Sequence, residues 1–183
     1  MKGLMIFTNY FEDVEGIATV DILRRANIDL DCVSLHDNKQ VLTAHQNKML
    51  FDKSLNEVDY YNYDFLVIPG GPAVFKELHQ DKLVEKIIKH YCDNKKLVCA
   101  ICAAPSLIGK HGYFDNQEYT VFPGCEGPIT KGIKTDKPVV VLDNFILAKS
   151  MYYANDFALE IVRRIKGDDV YNQISNSIKG IIW

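Results

Sequence analysis

Residues 97–109 have the sequence Leu97-Val98-Cys99-Ala100-Ile101-Cys102-Ala103-Ala104-Pro105-Ser106-Leu107-Ile108-Gly109. The first half is an apolar run typical of a buried strand, and a helix begins immediately after Cys102. A side chain at such a sharp turn lies at the rim of the sheet, where the N–H groups of the helix start favour a thiolate over a thiol. The same geometry carries the serine of many hydrolases. The segment predicts a nucleophile elbow with Cys102 as the nucleophile; the alternative is a buried structural cysteine.

Length and composition are those of a globular protein. The chain has 183 residues, 48% hydrophobic and 25% charged, and we predict a single domain over residues 1–183. With 21 basic and 24 acidic residues the formal charge is −3, which argues against nucleic acid or an anionic membrane as the main partner. The N-terminus has no signal-peptide layout and no apolar run approaches ~20 residues, so we expect a cytoplasmic location.

The cysteines are expected to be reduced thiols, because five is an odd number and a chain of this size needs no disulfides. Cys99 and Cys102 have the C-x-x-C spacing of redox and zinc sites. On one strand they would point to opposite faces with Cα atoms ~10 Å apart, too far for a disulfide or a shared zinc ion. We therefore expect neither a redox pair nor a metal site. Cys125 is either a resolving thiol or, as most cysteines are, incidental.

Apolar runs alternate with helical patterns along the chain. Strands are expected at residues 4–7, 30–35, 65–68, 97–102 and 118–122, a small hairpin or excursion at 41–55, and an antiparallel hairpin formed by 139–142 and 145–148. Helices are expected after the first strand as far as Asn27, with Val14, Ile17, Ala18 and Ile22 on the buried face, at 81–92, and as two final helices through Phe157 and Ile174. This alternation predicts an α/β sandwich of three layers, with a mainly parallel sheet covered on both faces.

Ligands of such sheets bind outside the carboxyl ends of the strands. The segments that follow these ends contain Glu15, Gly70-Gly71, Cys102 and Phe122-Pro123-Gly124. We therefore expect an acid, a glycine pair, a thiol and an aromatic loop to lie together at one edge of the sheet, and this convergence favours the functional interpretation of Cys102.

Each neighbour of Cys102 has a chemical role to offer. Glu15, in a desolvated cleft, would stay protonated and move a proton on and off a substrate; the alternative is an acid that stabilises a helix N-terminus. The N–H groups of Gly71 and Ala103 would stabilise an oxyanion, although a glycine pair alone is ordinarily a tight turn. Glu12 and Asp13 are nearby acids expected to be solvated or capping. None of the five histidines has a clear position as a base, and His79 and His90 are expected at the surface.

Three motifs occur in an order and spacing that identify a family. They are Glu12-Asp13-Val14-Glu15-Gly16 before Asp21-Ile22-Leu23-Arg24-Arg25-Ala26, then Phe65-Leu66-Val67-Ile68-Pro69-Gly70-Gly71, then Ala100-Ile101-Cys102-Ala103-Ala104-Pro105. With these the chain resembles the ThiJ/PfpI superfamily, in particular its parkinsonism-associated deglycase branch. The resemblance implies a flavodoxin-like sandwich, usually a homodimer, with an easily oxidised nucleophile at Cys102 and a protonated acid at Glu15. It also implies an oxyanion pocket at Gly71 and Ala103.

The chain departs from the family pattern at two places. Phe122 stands before Pro123 where many members have a histidine, and the segment Ser150-Met151-Tyr152-Tyr153-Ala154-Asn155 is about two residues shorter than the usual Gly-Pro-Gly-Thr loop. Both changes make the expected pocket of Gly70, Phe122 and Pro123 more aromatic and remove a candidate base. Protease-like members carry a histidine at the position of Ala103, and amidotransferases need a downstream His-x-Glu pair, so we disfavour both activities.

Three functions are compatible with these residues. The first is cofactor-independent chemistry on 2-oxoaldehydes such as methylglyoxal, or on their adducts with amines and thiols, with Cys102 as nucleophile and Glu15 as proton shuttle. The second is a redox-responsive stress protein or chaperone that senses oxidants through Cys102. The third is a binding module for small molecules that has no catalytic activity.

Overall fold

The computed structural model describes residues 1–181. The strands are β1 Lys2–Phe7, β2 Asp29–Ser34, β3 Gln40–Leu42, β4 Lys48–Leu50, β5 Lys53–Ser54, β6 Phe65–Ile68, β7 Leu97–Ile101, β8 Glu118–Tyr119, β9 Ile133–Lys134, β10 Val139–Val141 and β11 Phe145–Ala148. The α-helices are α1 Asp13–Arg25, α2 Lys82–Asp93, α3 Pro105–Gly109, α4 Ala154–Lys166 and α5 Asp168–Ile178. Shorter helical turns are the π-helix Val74–Leu78 and the 3₁₀ helices Leu55–Glu57, Tyr60–Asn62 and Met151–Tyr153.

The main sheet has seven strands in the order β10-β11-β7-β6-β1-β2-β5. All neighbours pair in parallel except β10 and β11, which form the predicted antiparallel hairpin. β6, β7 and β11 are buried along their whole length. Their continuous apolar sequences fit this environment, because a parallel strand is covered on both faces.

Two apolar layers flank the sheet. One layer contains the buried side chains of α2 and α3, and the other contains those of α1, α4 and α5. The predicted flavodoxin-like sandwich of three layers is therefore confirmed. Within residues 1–181 no helix is long and apolar enough to cross a bilayer.

Helix α1 buries Ile22 and half-buries Ala18, as predicted, but not Val14 and Ile17. Val14 and Ile17 are 45% and 48% exposed, whereas Glu15 and Thr19 are fully buried. Gly16 lies so close to the rings of Phe7 and Phe11 that a Cβ there would be 2.8 and 2.4 Å from them. The helix therefore approaches the sheet on its small and polar side, and the prediction based on apolar periodicity was wrong for Val14 and Ile17.

The strand predicted at residues 118–122 is shorter than expected and lies outside the main sheet. Only Glu118–Tyr119 forms a strand, and it pairs with Ile133–Lys134. Phe122 still reaches the end of β7, because its N–H donates to the carbonyl oxygen of Cys102 at 2.8 Å. The predicted hairpin at 41–55 forms from β3 and β4, while β5 continues into the main sheet beside β2.

Candidate active site

The elbow forms where β7 ends at Ile101. Cys102 adopts a left-handed backbone with φ of 64°, and its N–H donates to the carbonyl oxygen of Ala148 at 2.9 Å. This conformation is uncommon for a residue with a Cβ, and it turns the chain sharply into α3. Cys102 is 9% exposed, so the thiol is largely buried beneath the edge of the sheet and has little contact with solvent.

The carboxyl group of Glu15 lies beside this thiol, because α1 begins at the carboxyl end of β1. Glu15 is 0% exposed, and its Oε2 accepts a hydrogen bond from the N–H of Gly70 at 2.8 Å. Its Oε1 is buried and has no hydrogen-bond partner. Burial raises the pKa of Glu15 from 4.5 to about 7, against the lowering effect of Cys102 and of the Gly70 N–H. The carboxyl group therefore keeps its proton to a much higher pH than an ordinary glutamate and exchanges it near neutral pH, as expected for a proton shuttle.

Burial also raises the pKa of Cys102, and the Glu15 carboxylate raises it further, while the N–H groups of Gly71 and Ala103 lower it. The sequence predicted that the elbow favours the thiolate. This prediction included the two N–H contributions but not the effects of burial and of Glu15, which raise the pKa of the thiol. Protonation of Glu15 removes the repulsive charge and provides a donor for the sulfur. Each group therefore influences the pKa of the other.

The glycine pair fits closely between the thiol and the loop after β1. A Cβ on Gly70 would lie 2.7 Å from the Cβ of Cys102 and 2.8 Å from Oε2 of Glu15. Gly71 has φ of 90°, and a Cβ there would lie 2.5 Å from the nitrogen of Glu12. Both positions therefore require glycine, which places two backbone N–H groups next to the carboxyl and the thiol.

Aromatic and sulfur-containing side chains lie at the rim on either side of the elbow. Phe122 is 45% exposed, and Pro123 beside it is also exposed. On the other side the segment after β11 carries Met151 and Tyr152, which are 45% and 83% exposed. Exposed apolar groups clustered around a reactive residue are typical of a binding surface.

Three histidines of the described chain hydrogen-bond to residues other than Cys102: His36 to Glu77, His79 to Ser106 and His90 to Asn94. His45 lies 3.9 Å from a carboxylate oxygen of Glu12, and the buried Nε2 of His111 has no hydrogen-bond partner. His79 and His90 are half-buried rather than at the surface, which corrects the expectation from sequence. Desolvation lowers the pKa of His79 to about 4, so this residue is a neutral hydrogen-bonding group. Glu15 is accordingly the group placed to move protons at Cys102.

Glu12 caps α1, as expected, since its side chain accepts the N–H of Glu15 at 2.8 Å. Glu12, Asp13 and His45 have potential metal-ligating atoms within 4.8 Å of one another. The oxygens of Asp13 already accept hydrogen bonds from Thr43, Asn47 and the N–H of His45. These bonds explain why Asp13 is buried, and they join α1 to the hairpin of β3 and β4.

All five cysteines are free thiols. Cys99 and Cys102 pack in the same apolar layer, because the strand ends at Ile101 and the chain turns at Cys102. The premise that they lie on opposite faces was therefore wrong, although they form no disulfide.

Sequence reasoning missed a group of polar residues next to the site. Thr8 and Asn9 follow β1, His36 follows β2, and Glu77 belongs to the π-helix after the glycine pair; their side chains hydrogen-bond to one another. Their positions after strand ends were the available signal. The π-helix that brings Glu77 toward β1 has no pattern in the sequence by which to recognise it.

The fold and this site define an α/β sandwich with a cysteine at a nucleophile elbow, and comparison with known proteins identifies the family. The DJ-1/PfpI family matches residues 1–164, and the chain belongs to it. It is 28% identical to protein dj-1beta of Drosophila melanogaster, over 97% of this chain and 96% of that protein. The crystal structure of Drosophila melanogaster DJ-1beta covers 100% of both chains with a TM-score of 0.91 and 27% identity. The glutathione-independent glyoxalase DJ-1 of Schizosaccharomyces pombe is 28% identical over 97% of this chain and 98% of its own.

Proposed function

We propose that the protein converts 2-oxoaldehydes such as methylglyoxal, or their early adducts with amines and thiols, by a cysteine-dependent reaction without a cofactor. The observation that carries the proposal is the convergence of Cys102, the buried carboxyl of Glu15, and the N–H groups of Gly71 and Ala103. The name of the fission yeast relative, a glutathione-independent glyoxalase, supports the same chemistry.

The reaction begins with addition of the Cys102 sulfur to the aldehyde carbon. The carbonyl oxygen becomes an oxyanion, which the N–H groups of Gly71 and Ala103 stabilise, and it then takes up the proton that the thiol gave up. Glu15, as carboxylate, removes the hydrogen of this carbon and returns it as a proton to the adjacent carbon. The hydroxyl proton on the first carbon passes to the former ketone oxygen, so that the former ketone becomes a secondary alcohol and the former aldehyde a thioester. Water cleaves the thioester, which releases a 2-hydroxy acid and restores the thiol.

The rim favours substrates with an apolar substituent on the ketone. A Cβ on Gly70 would lie 2.7 Å from the Cβ of Cys102, and the Phe122 N–H donates to the Cys102 carbonyl oxygen at 2.8 Å, so Gly70, Phe122 and the adjacent Pro123 are the proposed pocket residues. Because Phe122 offers neither a charge nor a proton, the carboxyl of Glu15 carries the acid–base chemistry alone.

Substitution of Cys102 by serine tests this function. We expect loss of methylglyoxal consumption by at least about 100-fold, since a serine hydroxyl lacks the nucleophilicity of a thiolate. Cys125→Ser, at a half-buried thiol in the loop after Phe122, is the matched control and should keep the parent rate. Equal consumption by the parent and Cys102→Ser proteins would refute the proposal.

Sensing of oxidants is a second candidate function, favoured by the unpartnered Oε1 of Glu15. Two equivalents of peroxide would convert the thiolate of Cys102 to a sulfinate and release two molecules of water. The protonated carboxyl would then donate a hydrogen bond to a sulfinate oxygen. Mass spectrometry after mild peroxide treatment should find oxidation concentrated at Cys102. Uniform oxidation of all five cysteines would remove this candidate.

The proposed partners are a small carbonyl metabolite or its adduct and, as expected for the family, a second copy of this chain. A cytoplasmic location remains a prediction.

A further inference from the structure

Two loops at the carboxyl edge of the sheet lie side by side: the β1 loop, residues 8–12, and the glycine loop, residues 70–73. Their backbones are joined by two hydrogen bonds, from Glu12 N–H to Gly70 O at 3.1 Å and from Ala73 N–H to Tyr10 O at 3.1 Å. These bonds flank Gly71, whose backbone N–H lowers the pKa of the Cys102 thiol. The direction of this N–H therefore depends on the register of the two loops.

The contact between the loops continues into a cluster of four side chains. Oε2 of Glu77 accepts a hydrogen bond from Thr8 Oγ1 and lies 3.1 Å from Nε2 of His36. Oε1 accepts from the amide of Asn9 at 3.4 Å. Thr8 is 1% exposed, and the side chains of His36 and Glu77 are 32% and 23% exposed. The cluster is thus largely shielded from solvent, where hydrogen bonds hold geometry more firmly than at the surface.

Asn9 connects this cluster to the hairpin of β3 and β4. Its Oδ1 accepts the N–H of Leu42 at 2.9 Å, so the amide nitrogen faces the cluster and lies 2.9 Å from Nε2 of His36. The adjacent residue is also tied to this hairpin, since the N–H of Tyr10 donates to the carbonyl oxygen of Leu42 at 2.7 Å. The β1 loop is therefore fixed independently, and it can serve as the rigid support for the glycine loop.

Glu77 belongs to the π-helix Val74–Leu78, which starts directly after the glycine loop. A π-helix is rare and frequently occurs at functional sites. Here it turns the carboxylate of Glu77 back toward Thr8. A second contact of the same helix supports this orientation, because Nζ of Lys76 lies 4.0 Å from the ring centroid of Tyr10.

We propose that Glu77 is a positioning residue for the thiol: by binding Thr8, Asn9 and His36 it fixes the glycine loop in the register that directs the Gly71 N–H at Cys102. This inference concerns the reactivity of Cys102 itself. It therefore holds whether the thiol is used for aldehyde turnover or for sensing oxidants.

The test is the rate of Cys102 alkylation by iodoacetamide as a function of pH, measured on the Cys102 peptide by mass spectrometry. Loss of the Gly71 N–H raises the pKa of the thiol, so for Glu77→Ala we expect the profile to move to higher pH by about half a unit to one unit. At a fixed neutral pH the alkylation rate should fall about 3- to 10-fold. Glu77→Gln keeps the length and the hydrogen-bonding capacity of the side chain, and it should restore most of the parent profile.

Glu85→Gln is the matched control. Glu85 also binds two partners, Lys82 and Lys89, and its side chain is 20% exposed, but it lies on α2 away from the glycine loop. Its alkylation profile should match that of the parent. Thr8→Val removes the opposite end of the cluster, and combined with Glu77→Ala it should shift the profile no further than either change alone.

A Glu77→Ala profile that superimposes on the parent profile, with only a lower thermal midpoint, would overturn the proposal and leave Glu77 a purely structural role. If Glu77→Ala does not fold, Thr8→Val decides the question by the same criterion. A shifted alkylation profile in a protein that consumes no aldehyde would support this inference while rejecting the proposed enzymatic function.

Discussion

A buried carboxyl without a charged partner makes the fold sensitive to pH. The pKa of Glu15 rises from 4.5 to about 7 in the folded chain. Its contribution to stability is therefore fully present below pH 4.5 and is lost as the pH rises through about 7. For Glu15→Gln, which keeps an acceptor for the Gly70 N–H, we expect a free energy of unfolding equal to that of the parent at about pH 4. At about pH 8 the variant should be more stable by roughly 3 kcal/mol.

Urea unfolding of both proteins at the two pH values measures this difference. The competing view treats Glu15 as a solvated acid at a helix start. It predicts that the glutamine variant is slightly less stable at high pH, the opposite sign.

Gly71 and Gly124 both have φ near +90° but lie in different surroundings. Comparing them distinguishes the cost of a left-handed backbone from the cost of a clash between a Cβ and neighbouring atoms. A Cβ on Gly71 would meet backbone atoms of Glu12 and Tyr10 at 2.5 and 2.7 Å, whereas a Cβ on Gly124 meets nothing within 4 Å. Gly124→Ala should destabilise the fold by about 1 kcal/mol from the left-handed backbone alone. Gly71→Ala should cost at least about 3 kcal/mol and slow Cys102 alkylation at neutral pH about 3- to 10-fold, as expected for a displaced Gly71 N–H. Thermal unfolding measures the stabilities, and equal losses would contradict the packing described here.

At the scale of residues, the sequence was sufficient to find the groups that lie directly after strand ends. Cys102, Glu15 and the glycine pair each follow a recognisable apolar strand, so the rule for parallel sheets brings them together. The pKa of Cys102 was less accessible, because desolvation depends on how deeply the elbow is covered. Glu77 was missed because its distance from Thr8 depends on a π-helix.

Among the secondary-structure elements, helix α2 offers a direct test of capping. Oδ1 of Asp81 accepts the N–H groups of Leu83 and Val84 at 2.8 and 2.9 Å. Asp81→Ala should lower the free energy of unfolding by about 1 kcal/mol and the thermal midpoint by about 2–4 °C. Asp81→Asn retains an acceptor and should stay within a few tenths of a kcal/mol of the parent. Calorimetry of the three proteins checks the order, which fails if alanine and asparagine behave alike.

Elements with a strong periodic pattern were predicted close to their observed bounds. The helix expected at 81–92 is observed at Lys82–Asp93 with Asp81 as its cap, and the hairpin of β10 and β11 is antiparallel. The errors at β8 and on α1 have a common cause. In both cases an apolar side chain could be buried against more than one neighbouring element, so the apolar pattern alone did not determine the packing. For α1, the close approach of Gly16 to Phe7 and Phe11 determines which face of the helix contacts the sheet.

The exposed apolar residues of α1 and β4 bear on the whole molecule. Ile17 and Leu50, which are 48% and 76% exposed, line a cavity of about 560 Å³ over β2. The proposed homodimer should sediment with twice the 20.8 kDa mass of one chain. If the dimer uses this face, Ile17→Glu should lower the mass to that of one chain. Ile133→Glu, at a site 54% exposed on β9, should leave the dimer intact, and equal behaviour of the two variants would exclude this face.

The architecture of the whole chain was the most predictable level. Alternation of apolar runs and amphipathic segments leaves few arrangements other than a covered parallel sheet. The hairpins beyond the main sheet were less predictable, because short strands such as β5 and β9 carry too few residues for a pattern.

The left-handed backbone at Cys102, φ 64°, means that the proposed function and stability would make opposite demands on this position. A side chain at such a backbone costs about 1 kcal/mol that glycine avoids. A sequence selected only for thermal endurance would therefore place glycine here, and the elbow would keep its shape without a nucleophile. Every copy of the protein bears this strain at all times, whether or not a reactant is present. Under the proposed function, the reactivity of the sulfur compensates for this strain.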